Sequence, residues 1–90
     1  MPSPEVLEEE IFVLSRQTHQ GLVVTWYHNI QDAEALFNTA AKIADEGEEV
    51  VLFSMVAPNV LDAVDVRKHA EATAAKKNYM PIRSNSHIGT

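Results

Sequence analysis

Residues 50–57 read VVLFSMVA, a run without charge that is rich in β-branched and aromatic side chains. Bounded by Pro58, which cannot donate to a ladder, it predicts a strand. Successive side chains of a strand point to opposite faces. This strand therefore offers Val50, Leu52 and Val56 to one side and Val51, Phe53 and Met55 to the other. Both sets are apolar. The same holds upstream, where IFVLS offers Ile11 and Val13 against Phe12 and Leu14, and LVVTWYH (22–28) offers Leu22, Val24 and Trp26 against Val23, Thr25 and Tyr27. A sheet built from these strands needs cover on both faces, because a large apolar surface left in water invites association.

RQTHQG (16–21) is polar, contains one glycine and suits a loop joining the first two strands into a hairpin. Asn29 and Asp32 are both cap-type residues for a helix that follows, whose apolar positions Ala33, Leu36, Phe37, Ala40, Ile43 and Ala44 recur at helical spacing. Gly47 is placed to end it in the left-handed conformation. The order is ββαβ, with a crossover expected to be right-handed. Strand order 2-1-3 leaves room for the helix to span the sheet, and 1-2-3 with a parallel pair is the alternative. From Asn59 to Asn78 the composition turns to alanine, lysine and glutamate without glycine or proline, which predicts a second helix. Its apolar residues Val60, Leu61, Val64 and Val66 are front-loaded, so the first half is expected to dock and the second to project. YMPIRSNSHIGT (79–90) reads as a flexible tail anchored through Tyr79, Met80 and Ile82. The expected fold is thus α+β: a three-stranded ββαβ domain over 1–58, a C-terminal Ala/Lys-rich helix over 59–78, and a tail over 79–90.

The first helix covers one face only. The second must be closed by the C-terminal helix or by another chain, and its short apolar stretch favours a homodimer. A chain of 90 residues supports one core and little surplus stability, which points the same way. The absence of cysteine excludes disulfides and thiolate metal sites and fits a cytoplasmic protein. MPSPEVLEEE lacks the basic and apolar regions of a signal peptide, and no apolar run reaches the ~18 residues of a membrane span. The net charge of −6 is unevenly spread. Residues 1–66 carry twelve acids against Arg16 and Lys42, while residues 67–90 carry Arg67, Lys68, Lys76, Lys77 and Arg83 against Glu71. An acidic head steers basic partners and repels nucleic acid.

No residue pattern points to catalysis. The histidines at 19, 28, 69 and 87 have no mutual ligand spacing, and Ser15, Ser54, Ser84 and Ser86 sit in no nucleophile elbow. The three glycines are too scattered to cradle phosphate, so no cofactor and no metal is expected. Trp26 and Tyr27 face opposite sides of one strand and do not line one pocket without a bend. His28 and Asn29 stand where a helix N-terminus attracts an anion, with capping as the simpler role. The candidate interaction residues are Trp26, Tyr27, Leu61, Val64, Arg67, Lys68, Lys76 and Lys77.

The segment IFVLSRQTHQGLVVTWYHNIQDAEALFNTAAKIADEGEEVVLFSMV, about half the chain, resembles the small acidic ββαβ proteins of unknown function from bacteriophages, in which a hairpin is followed by a DAEA-type helix and a third strand. The resemblance implies a non-catalytic accessory protein that binds another protein. The expected function is a protein-interaction module, homodimeric and regulatory or accessory. The alternative is an antitoxin-like or nucleic-acid-associated regulator that works through its basic C-terminal tail.

Overall fold

The structure, a computed structural model, describes residues 8–58 and 63–85. Its elements are β1 (Glu8–Thr18), β2 (Gly21–Tyr27), α1 (Ile30–Ile43), β3 (Glu49–Pro58), α2 (Ala63–Lys76) and β4 (Pro81–Ser84). The strands form one sheet in the order β2-β1-β3-β4, with every neighbouring pair antiparallel. The order 2-1-3 holds for the first three strands. The longest strand, β1, takes the centre because both of its faces and both of its edges are used.

The hairpin is tighter than expected. Thr18 pairs with Gly21, leaving a loop of only His19 and Gln20. The Thr18 hydroxyl donates to the Gly21 carbonyl (2.9 Å) and accepts from the Gln20 amide (3.1 Å), and Gly21 takes a φ of 129° that a side chain would oppose. Asn29 is the N-cap of α1, its Oδ1 accepting from the amides of Gln31 (2.7 Å) and Asp32 (3.4 Å). The helix ends at Ile43, earlier than Gly47, which instead supplies a φ of 89° in the turn to β3.

Each sheet face has its own helix. On one, Ala33, Phe37 and Ala40 of α1 pack on Leu14, Val50 and Leu52. On the other, Ala70 and Ala74 of α2 pack on Ile11, Val13, Val24, Val51 and Phe53. The second face is therefore closed within one chain, which removes the uncovered face that favoured a dimer.

Three expectations are corrected. The sheet has four strands, since part of the supposed tail forms β4 against β3. β4 carries little apolar signal of its own. What holds it is the open backbone of β3, together with Asn85, whose amide donates to the Glu48 carbonyl (3.1 Å) and accepts from the Val50 amide (2.9 Å). Tyr79 leads into it, stacked on Phe53 with centroids 4.3 Å apart. Second, α2 docks along its length, through Val66 as expected but also through Ala70 and Ala74 of the half expected to project. Ala70 and Ala74 are buried while Val64 is 60% exposed, because a small residue lets the helix approach the sheet closely. Val60 and Leu61 lie outside the described residues. Third, Leu36 and Ile43 do not join the core. Each stands well to one side of the line of Phe37, Leu36 by about 100° around the helix axis, and they are 41% and 66% exposed.

Candidate interaction surface at the open edge of the sheet

The two edges of the sheet differ. β4 has only four residues, begins with Pro81, carries Arg83, and meets β3 through a register shift at Leu52/Phe53. Short length, proline, charge and irregularity each discourage further strand pairing. β2 has seven residues, GLVVTWY, with no proline and no charge. Among the described residues it is the open edge.

Which backbone groups it presents follows from alternation along an antiparallel ladder. The Val50 amide points away from β1, toward Asn85. Its register partner Arg16 therefore spends its backbone groups on β2, opposite Val23. The groups of Leu22, Val24 and Trp26 consequently face outward. One of these is occupied: Nη1 of Arg67, reaching from α2, donates to the Val24 carbonyl at 3.2 Å. The same guanidinium lies over the Trp26 ring, 5.2 Å from its centroid.

Beside this edge, on the α1 side of the sheet, runs a groove of about 210 Å³ lined by Leu14, Arg16, Val23, Thr25, Tyr27, Leu36, Thr39, Ala40 and Ile43. Its outer wall is Val23, Leu36 and Ile43, with Val23 44% exposed. Thr25 and Tyr27 hydroxyls hydrogen-bond at 3.1 Å along its floor. An apolar trough next to an edge that no strand among the described residues pairs with is the arrangement that accepts an added strand: the backbone supplies a ladder and the trough takes alternate side chains.

The residues singled out from the sequence divide accordingly. Trp26 and Arg67 are brought together on the α2 side of the edge, and Tyr27 lies on the opposite face, in the groove. Lys68, Lys76 and Val64 are exposed on α2. Lys77 reaches Glu49 (3.8 Å) and Arg83 reaches Glu34 (3.2 Å). Leu61 lies outside the described residues. Val23, Leu36 and Ile43 were missed as surface residues. For Leu36 and Ile43 the signal was present as an apolar stripe on α1 wider than the buried line of Ala33, Phe37 and Ala40 requires.

Two further titratable groups, Glu48 and Tyr79, have structural roles. The Glu48 carboxylate accepts from the amides of Asp45 (3.0 Å) and His19 (3.3 Å), tying the hairpin loop to the turn before β3. Those bonds, the one from Asp45 foremost, hold it below the usual carboxylate range. Burial against the sheet, aided by the charge of Glu49, pushes the Tyr79 hydroxyl up. Asn29 occupies the first free amides of α1, the place an anion would take. Among the described residues, no three His, Cys, Asp or Glu converge as a metal site, and no helix is long and apolar enough to cross a membrane. No family model, curated protein or solved structure matches this chain.

Proposed function

We propose that this protein is a non-catalytic interaction module, accessory or regulatory, that recognises an extended protein segment along β2. The observation that carries this reading is the coincidence of a seven-residue edge without proline or charge with the apolar wall of Val23, Leu36 and Ile43. A cytoplasmic setting and kinship with the small acidic phage proteins belong to the same proposal; the cysteine-free, acidic chain supports them. The nucleic-acid reading has less behind it. Of the five C-terminal cations, Arg67, Lys77 and Arg83 are already engaged with the chain itself, and phosphate binding scales with the number of free charges.

The test uses Trp26, the only tryptophan, as reporter. Extended peptides are selected from a random library on the full chain, and binding is followed by Trp26 emission in the wild type and in Ile43→Lys. Peptides that shift Trp26 emission and lose affinity in Ile43→Lys support the reading. Failure to obtain any peptide sensitive to Ile43→Lys overturns it.

A further inference from the structure

Resting on that reading, we infer that the occupant of the β2 edge is a second copy of this chain, and that Arg67 is the clamp that holds the pairing in check. The edge is complementary to itself. An antiparallel two-fold through Val24 sets Val24 against Val24 of the second copy, Leu22 against the second copy's Trp26, and Val23 against its Thr25. All outward backbone groups of Leu22, Val24 and Trp26 then find partners, giving one continuous sheet of both copies. No ionisable residue lies between Gly21 and Tyr27, so the two-fold places no like charges opposite each other within the ladder. The grooves bordered by Val23, Leu36 and Ile43 come to lie on the same side of that sheet, flanking the axis.

The size of the contact sets its strength. Seven residues at ~3.3 Å each make an edge about 23 Å long, and with about 10 Å of covering layer on either face the contact buries roughly 450 Å² per copy. The total of about 900 Å² lies below the ~1,200 Å² of stable specific interfaces, so the pairing is weak and concentration-dependent. Arg67 weakens it further. Its bond to the Val24 carbonyl occupies the acceptor at the two-fold axis and must be given up before that carbonyl can receive the second copy's amide. A charge-assisted bond of this kind, reinforced by the Trp26 ring, corresponds to at least about a tenfold loss of affinity.

Sedimentation equilibrium on the full chain, with amide exchange by NMR, tests this. Arg67 is exposed, so Arg67→Ala should keep the fold, which its amide spectrum reports directly. Arg67→Lys keeps the charge but loses the planar donor fork, and serves as the milder variant. Expected are a weak wild-type dimer, a dimer about tenfold tighter or more in Arg67→Ala, an intermediate value in Arg67→Lys, and slowed exchange at Leu22, Val24 and Trp26 in the dimer. Adding Val23→Lys to Arg67→Ala should abolish the dimer. That substitution lowers the net negative charge, so general repulsion does not explain the loss. The inference is overturned if both Arg67 variants associate no more tightly than the wild type, if the dimer leaves the three amides exchanging at the monomer rate, or if it survives Val23→Lys. Should that happen while selected peptides still bind in a manner sensitive to Ile43→Lys, self-pairing alone fails and the interaction reading stands. If peptide selection fails too, both fall.

Discussion

Replacing Ala70 by leucine tests whether α2 closes the second sheet face in the way described. Ala70 has no exposed surface, and it shares a stripe with Ala74 one turn on. Beneath lie Ile11, Val13 and Phe53, each essentially inaccessible, so the floor leaves no room for an isobutyl group in place of a methyl. The helix must lift or the side chain must leave its rotamer, a penalty of about 1–3 kcal/mol for overpacking. Leucine is nearly as good a helix former as alanine, so propensity contributes little. For 90 residues the unfolding entropy near Tm is about 190 cal/mol/K, and a central value of ~2 kcal/mol lowers Tm by about 10 °C. The control is Ala72→Leu, on the exposed side of the same helix, expected within ~0.5 kcal/mol of the wild type. Calorimetry on the three proteins reads the difference. Equal Tm values for Ala70→Leu and Ala72→Leu would refute the packing of α2 through its alanine stripe.

Two further outcomes are expected. Lys77 ends α2 with a φ of 56°, its amide bonding to the Ala74 carbonyl and that of Asn78 to Thr73, the pattern in which glycine is preferred. Lys77→Gly should therefore raise stability by about 1 kcal/mol in urea titration, since relief of the left-handed strain exceeds the loss of the exposed pair with Glu49; a destabilised variant would show that the Glu49 contact matters more than the strain. Glu48 titrates below its ordinary value of 4.5, so its contribution is whole above that pH and is lost as the pH falls through the lower folded value. Glu48→Gln should consequently flatten the stability profile below pH 4.5, as read by urea midpoints across that range, and an unchanged slope would disprove the assignment.

Much of this fold is written in local periodicity. Alternation separated Ile11 and Val13 from Leu14 within β1, and Val51 and Phe53 from Val50 and Leu52 within β3, and the structure keeps each division while its register decides which sets share a face. The cap-type pair Asn29 and Asp32 announced the start of α1, of which Asn29 is the cap, and the apolar content of both faces demanded two layers of cover. These features are legible because a strand repeats every two residues and a helix every 3.6, whatever surrounds them. Tertiary structure decided the rest. β4 exists because β3 has a second edge to satisfy, with Asn85 reaching back to Glu48 and Val50. The docking of Ala70 and Ala74 in α2 was set by how closely alanine permits a helix to approach, which hydrophobicity along the chain does not reveal. The open edge is likewise a property of the assembled sheet. Whether Val24 is bonded or exposed depends on which strands flank β1, and Arg67 meets that carbonyl from 43 residues away. Sequence periodicity determines which side chains share a face; only the completed sheet determines which backbone remains unpaired, because an edge is defined by the neighbour that is missing.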